Sequence, residues 1–188
     1  MKRIIIINVL LIIIYFLIPT QYIKNIQAKQ SIIIGINNEI SFEENLNIDF
    51  EMDLRTKSNI KKETLSKMLK GTQMEGLEDY FIQAEQENGI NAIYLTSLAC
   101  HESAYNTSNF AKTRNNLFGW QSYDSNLNAT KQFKTKEECI LFVSSRIKVL
   151  YLDKGNTTIQ SISNKYASDK EHGKKVFKIM QKLVDKVS

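Results

Sequence analysis

The chain has 188 residues, of which 43% are hydrophobic and 24% are charged, with seven Gly and a single Pro. This composition is typical of one globular domain with some additional chain, and it excludes collagen-like, proline-rich disordered and disulfide-framework proteins. Two Cys and two His without a C-x-x-C motif predict neither a metal site nor a redox site, and no cofactor is expected.

The formal net charge of +5 is unevenly distributed along the chain. Lys2, Arg3 and Lys24 lie in residues 1–28, which contain no acidic residue, so the rest of the chain has 22 basic against 20 acidic side chains. Because a protein that follows a phosphate backbone needs a clear basic excess, nucleic acid is not expected as a partner.

Residues 1–28 have the layout of an export signal. Lys2-Arg3 precedes residues 4–18, which are apolar except for Asn8, and a polar stretch follows that ends at Ala28. An apolar run of this length falls short of the roughly 20 residues that a membrane-spanning helix needs. Cleavage near Ala28 is therefore favoured over an uncleaved membrane anchor. The rest of the chain is expected outside the cytoplasm, with membrane contact only through this segment.

Residues 29–70 differ in character from the segments on either side. They hold seven Lys or Arg and seven Asp or Glu, and their apolar residues alternate only in short patches around residues 40–42 and 48–54. This pattern predicts a linker of low order with at most one short strand. The folded domain is expected to span residues 71–188.

Helical signals dominate after residue 70. Capping sequences of the form S/T-x-x-E begin at Thr72, Thr135 and Ser168, and Asn91 is a further N-cap candidate. Apolar residues spaced at i, i+3 and i+4 predict helices at about residues 74–88, 91–105, 136–151, 157–166 and 170–186. Residues 108–134 lack a helical period and predict loops or a small β-hairpin, so the expected class is α+β, mainly α.

A carboxylate lies at the end of the most apolar predicted helix. Residues 92–104 are apolar nearly all round, which indicates a central helix, and Glu102 follows Leu98 by four residues and Ala99 by three. This spacing places Glu102 on the inward face, where desolvation would raise the pKa of its carboxyl as a general acid requires. The alternative is that Glu102 turns into water at the helix end.

The neighbours of Glu102 have simpler interpretations. His101 is interpreted as a polar residue on the helix flank, and Cys100 as a small buried apolar side chain. A disulfide between Cys100 and Cys139 is chemically allowed in an exported protein, although their spacing does not imply it.

Residues 95–126 carry a family resemblance. They read LTSLACHESAYNTSNFAKTRNNLFGWQSYDSN, in which an apolar helix ending in Glu-Ser is followed by a turn, by Asn-Asn-Leu-Phe-Gly and by Tyr-Asp-Ser-Asn. Residues 69–72, 89–92 and 166–169 carry further parts of the same resemblance. The chain resembles, over about residues 68–183, the bacterial glucosaminidases that hydrolyse peptidoglycan, glycoside hydrolase family 73.

The resemblance implies a lysozyme-like domain with a helical lobe, a small β-hairpin lobe and a glycan-binding groove between them. It also implies that Glu102 is the catalytic acid and that Tyr166 lines the reaction centre. The bond attacked would be the β-1,4 linkage on the N-acetylglucosamine side of the glycan strands of peptidoglycan. The expected protein is an exported, monomeric endo-β-N-acetylglucosaminidase.

The loop after Glu102 offers candidates for binding the sugar. Asn115 and Asn116 could hydrogen-bond acetamido or hydroxyl groups, while Phe118, Trp120 and Tyr123 offer flat faces for sugar rings. In the alternative interpretation, which is favoured for Phe118, that side chain anchors the loop to the core.

The second catalytic group is less clear from the residues. Asp124 is the one acid between residues 103 and 136, where many relatives carry a Thr-x-Glu-Tyr motif, and it is either a base or a turn cap. The 2-acetamido group of the substrate could assist instead. His172, where relatives often carry an aromatic residue, is expected to pack or to line the groove edge. Muramidase or lytic transglycosylase chemistry, and a non-catalytic wall-binding module, are the alternative functions.

Overall fold

The computed structural model describes residues 43–121 and 130–188, and residues 44–188 form one compact unit. Within the described ranges the chain forms helices and turns only. The helices, numbered here in chain order, are α1 (Lys62–Leu69), α2 (Glu78–Asn88), α3 (Ala92–Ser103), α4 (Asn109–Arg114), α5 (Lys136–Leu150), a 3-10 turn (Leu152–Lys154), α6 (Ile159–Tyr166) and α7 (His172–Val184). The mainly helical class predicted from the sequence is confirmed.

Helix α3 is the centre of the domain. Every residue from position 92 to position 100 is buried, and the helix packs against α2 and α7. Helix α2 also packs against α5, and α6 packs against α7. This agrees with the prediction of a central helix, because a segment that is apolar all round must be surrounded by other elements.

The N-terminal caps were predicted in part. The side chain of Asn91 accepts a hydrogen bond from the backbone N–H of Tyr94 at 3.0 Å, and that of Thr135 accepts one from Glu138 at 3.1 Å. Thr72 instead closes a turn ahead of α2, which begins at Glu78. Helix α7 likewise begins at His172, two residues after the predicted start.

Residues 44–70 differ from the expected linker. Leu54 and Ile60 are buried, and α1 buries Leu65, Met68 and Leu69. The backbone N–H of Leu54 donates to the Thr157 carbonyl at 2.8 Å, and the Leu54 carbonyl accepts from Asn91 at the same distance. The apolar residues of α1 form only a narrow stripe among charged residues, which explains why composition suggested an unpacked segment.

Residues 108–134 also differ from the expectation of loops or a hairpin. Residues 109–114 form α4, whose N-cap residue Ser108 accepts a hydrogen bond from Ala111 at 3.3 Å. A helix of fewer than two turns is too short to show a hydrophobic period. Residues 122–129 of this predicted loop or hairpin region lie outside the described residues.

The signal or anchor segment at residues 1–28 also lies outside the described residues. Within residues 43–121 and 130–188, none of the helices combines the length and apolar character needed to span a bilayer.

Candidate active site

Glu102 lies in the last turn of α3, immediately before a strained turn. Ala104, Tyr105 and Asn106 all adopt left-handed backbone conformations, with φ of 48°, 56° and 66°. Such conformations are uncommon for residues other than Gly, and runs of them cluster at functional sites. The turn is held by Ser103, whose hydroxyl accepts a hydrogen bond from the Asn106 N–H at 2.8 Å and whose carbonyl accepts one from Ser108 at 2.9 Å.

The carboxylate of Glu102 is bound by a buried histidine. His172 is the first residue of α7 and is 4% exposed, and its Nε2 lies 2.7 Å from Oε1 of Glu102. Its Nδ1 lies 3.0 Å from the hydroxyl of Ser163 on α6. Three helices therefore converge on one hydrogen-bonded chain. His172 was expected to pack or to line the groove edge, whereas it contacts Glu102 directly.

Tyr166, at the end of α6, packs beside this pair. Its ring stacks on that of His172 with 5.7 Å between centroids and an interplanar angle of 25°. Its hydroxyl donates a hydrogen bond to the Phe118 carbonyl at 2.8 Å. Burial, reinforced by the nearby Glu102 charge, raises the pKa of Tyr166 well above 10.0. The phenol therefore stays neutral and keeps its proton over the ordinary pH range.

The second carboxylate oxygen of Glu102 faces the backbone of Gly119. A β-carbon at this position would lie 3.9 Å from Oε2, and φ of Gly119 is +58°. The Glu102 side chain is 21% exposed. One oxygen is thus held by His172, while the other lies next to a residue without a side chain.

Asn115 and Asn116 hold the loop around Gly119 in place. The Asn115 amide donates to the carbonyls of Phe133 and Lys134 at 3.1 and 2.9 Å. Asn116, 1% exposed, exchanges hydrogen bonds with the backbone N–H and carbonyl of Trp120 at 2.9 and 3.0 Å. Both side chains therefore have a structural role, because their amide groups bind the backbone, and their contacts with sugar stay a prediction.

The aromatic candidates divide into two groups. Phe118 is 1% exposed and belongs to the core, which agrees with the interpretation favoured for it. Trp120 is half-buried, and its ring lies 6.5 Å from that of Tyr166 and 6.2 Å from that of Phe142. Trp120 therefore remains the candidate sugar platform in this group. Tyr123 and Asp124 lie outside the described residues.

His101 completes a cluster around Glu102. Its ring packs edge-on against that of His172, with centroids 5.1 Å apart. Partial burial lowers the pKa of His101 below its ordinary value, against the opposing effect of the Glu102 carboxylate. Ligand-type atoms of His101, Glu102 and His172 all lie within 4.8 Å of one another. Spacing in the sequence could not reveal this cluster because 70 positions separate Glu102 from His172.

Comparisons with known proteins place the chain in a family. Residues 78–185 match the glucosaminidase family, which is described as mannosyl-glycoprotein endo-beta-N-acetylglucosaminidase. The chain belongs to the glucosaminidase family. The match contains Glu102, Tyr166 and His172, so the family region and the site described above coincide.

Curated relatives agree with this membership. Two Streptococcus pneumoniae proteins named as endo-beta-N-acetylglucosaminidases, from strains TIGR4 and R6, are each 31% identical over 145 residues, or 72% of the chain. The chain spans only about a fifth of their length, 22% and 21%.

Solved structures share the fold. A catalytic mutant of S. aureus autolysin E in complex with the disaccharide NAG-NAM has a TM-score of 0.63 and 22% identity, covering 74% of this chain and 75% of that one. A major bifunctional autolysin has a TM-score of 0.60 and 25% identity, covering 80% and 73%. The helical domain therefore has the lysozyme-like glucosaminidase fold expected from the sequence.

Proposed function

We propose that the protein is an exported peptidoglycan hydrolase that cleaves the β-1,4 bond on the N-acetylglucosamine side of the glycan strands, with Glu102 as the general acid. The observation that carries the proposal is the asymmetric environment of this carboxyl group. His172 binds Oε1 at 2.7 Å, while Oε2 faces Gly119 in a partly exposed position. Family membership and the likeness to autolysins support the same activity.

The reaction follows from this arrangement. The proton on Oε2 of Glu102 passes to the glycosidic oxygen, the bond from that oxygen to the anomeric carbon breaks, and positive charge develops on the sugar ring. Water then adds to the anomeric carbon and gives up a proton. His172 keeps the carboxyl in one orientation, and orientation of this kind is a large part of catalysis.

The neutral Tyr166 phenol serves a second purpose in this proposal. Its hydroxyl donates to the Phe118 carbonyl and so holds the loop that carries Gly119 close to Oε2 of Glu102. Trp120, packed against the same ring, would support a sugar at the entrance to the site. In one course Asp124 takes the proton of the attacking water, and the anomeric configuration is inverted. In the other, the oxygen of the 2-acetamido group first bonds to the anomeric carbon, water then displaces it and gives its proton to the Glu102 carboxylate, and the configuration is retained.

The place of action follows from the N-terminal segment. Export through residues 1–28 would bring the domain to the cell wall, either released or held at the outer face of the membrane. We propose a monomer that acts on glycan strands without a cofactor, because the acid chemistry described above needs only side chains of one chain.

The test is digestion of purified cell wall with mass spectrometry of the products. Wild-type protein should release fragments with reducing N-acetylglucosamine ends. Glu102→Gln should lower the rate by at least roughly 100-fold, because it removes the proton donor. The matched control is Glu87→Gln, an exposed glutamate on α2, which should keep the full rate.

The alternatives give distinct results in this assay. Reducing N-acetylmuramic acid ends would indicate a muramidase, and anhydro-muramic ends would indicate a lytic transglycosylase. Wall binding without any product would indicate a binding module. Full activity of the Glu102→Gln protein would contradict the assignment of the acid.

A further inference from the structure

Both histidines of the chain lie beside the proposed catalytic carboxylate. His101 precedes Glu102 on α3, and His172 begins α7, so two distant parts of the sequence supply imidazoles to one place. We propose that His101, Glu102 and His172 form a binding site for a divalent transition-metal ion, of which Zn²⁺ fits best. The metal would inhibit the enzyme, a consequence that rests on the proposed function.

The distances suit a metal of this size. Zn²⁺ binds imidazole nitrogens and carboxylate oxygens at about 2.0–2.2 Å, which places tetrahedral ligand atoms about 3.3 Å apart. The three ligand atoms lie within 4.8 Å of one another, and the closest pair, Nε2 of His172 and Oε1 of Glu102, is 2.7 Å apart. The metal therefore requires the close pair to open and the half-buried His101 ring to approach, which are side-chain movements.

The buried histidine is already oriented as a ligand. A metal-binding imidazole usually donates its other ring N–H to a neighbouring acceptor, which fixes the tautomer and the ring plane. When a metal binds Nε2, the ring proton moves to Nδ1, and the hydroxyl of Ser163, 2% exposed and 3.0 Å away, can accept it. The stacked Tyr166 ring holds the imidazole plane. Both contacts leave Nε2 directed towards Glu102.

The donor set selects the class of metal. Two imidazoles and one carboxylate favour Zn²⁺ and related transition metals over Mg²⁺ or Ca²⁺, which prefer oxygen ligands. Lys175, whose positive charge acts on His101, is paired with Asp169 at 2.6 Å, so its charge is partly compensated. Three protein ligands leave a fourth position open to water.

Metal binding and catalysis would compete for Glu102. Zn²⁺ bound to Oε1 would stabilise the ionised carboxylate, so that Oε2 would have no proton to give to a glycosidic oxygen. The metal would also replace the hydrogen bond by which His172 orients the carboxyl group. Zn²⁺ should therefore act as a reversible inhibitor that a chelator removes.

The binding experiment uses the full chain without a histidine tag and adds Zn²⁺ or Co²⁺ alone. Calorimetry should show one Zn²⁺ per chain, and Co²⁺ should produce visible absorption bands of a nitrogen-containing site. His101→Ala should weaken binding at least tenfold, and because this side chain is half-exposed, the variant should fold. Glu171→Gln, an exposed carboxylate next to His172 in the sequence, is the matched control and should bind normally.

A second variant tests the role of His172 without replacing its buried ring. Ser163→Ala keeps all three ligands but removes the acceptor at Nδ1, and it should weaken binding about tenfold. Absence of Zn²⁺ binding at micromolar concentrations, or equal binding by wild type, His101→Ala and Glu102→Gln, would overturn the proposal.

The wall-digestion assay separates this inference from the proposed function. Binding with inhibition that a chelator reverses supports the site and the role of Glu102 together. Binding without inhibition supports the metal site and contradicts Glu102 as the acid. Activity that Zn²⁺ does not affect, in a protein that binds none, overturns the site and leaves the hydrolase intact.

Discussion

A glutamate carboxylate lies at each end of helix α3, one from Glu85 of α2 and one from Glu102 of α3 itself, and their environments differ. At the N-terminal end, the carboxylate of Glu85, 3% exposed, accepts hydrogen bonds from the N–H and hydroxyl of Ser58 and from the N–H groups of Asn59 and Ala92, all within 2.9 Å. At the C-terminal end, Glu102 is 21% exposed, and His172 binds one of its oxygens.

The contrast is between a structural carboxylate and the proposed catalytic one. Glu85 is a residue of α2, but its carboxylate binds the first backbone N–H of α3, where a negative charge is favourable, and four donors contact it. Glu102 lies at the C-terminal end of α3, where a negative charge is unfavourable, and its second oxygen lies near Gly119 in a partly exposed side chain. Burial of a glutamate is therefore a poor guide to function. The number and position of the hydrogen-bond donors are what distinguish Glu85 from Glu102.

The largest effect that tests this comparison concerns stability. Glu85→Gln should lower the free energy of unfolding by roughly 2–4 kcal/mol, because an amide nitrogen would face donors that now bind a charged oxygen. Activity per folded molecule should persist. Urea denaturation followed by circular dichroism measures the change, with Glu87→Gln as the control. A stable but inactive Glu85→Gln protein would reverse the roles assigned to the two ends.

A smaller effect is expected at the loop opposite Glu102. Tyr166→Phe removes the hydrogen bond to the Phe118 carbonyl and should cost about 1 kcal/mol of stability. Because the loop carrying Gly119 loses this hydrogen bond, the rate of wall digestion should also fall. The fall should be measurable at temperatures where the variant is fully folded, so that the loss of stability does not explain it. An unchanged rate would show that Tyr166 contributes to packing alone.

The next prediction concerns the cap at the N-terminal end of α3. Asn91→Ala removes the side-chain acceptor of the Tyr94 N–H and should lower the free energy of unfolding by about 1 kcal/mol. The rate of wall digestion should be the same as in wild type. Asn91→Ser, which can still cap, should recover most of the loss in thermal unfolding, and failure to recover it would assign the effect to another contact.

The smallest effect is a dependence on alkaline pH. Burial raises the pKa of Cys100, two residues before Glu102 on α3, from 9.0 to about 12. Because the folded state holds this proton more tightly than the unfolded chain, the stabilisation is complete below pH 9 and is lost as the pH rises towards 12. Urea midpoints between pH 8 and 10 should fall more steeply for wild type than for Cys100→Ala. If the urea midpoints of the two proteins fell equally with pH, burial of the Cys100 thiol would not contribute to the pH dependence of stability.

Several elements could be predicted because their signals are local. The central position of α3 follows from its apolar composition, and the caps at Asn91 and Thr135 follow from side chains within three residues of the N–H groups they bind. Helix α1 and helix α4 were missed, since one shows a narrow apolar stripe among charges and the other is too short for a period.

The site was predictable only in part. Sequence reasoning selected Glu102, but it expected sugar contacts from Asn115 and Asn116, whose amides hold the loop backbone. An asparagine has the same hydrogen-bonding groups whether its partner is a sugar or a carbonyl, so the residue type alone could not decide. The role of His172 depended on a contact across 70 positions that no spacing rule describes.

The sequence by itself determined the helical class, the central apolar helix with a glutamate in its last turn, and the resemblance of the region around it to one family. Only the tertiary structure decided what surrounds that glutamate, because α6 and α7 bring Ser163, Tyr166 and His172 to it from far along the chain. Helix formation depends on neighbours within one or two turns, whereas the environment of a carboxylate depends on every element packed against it.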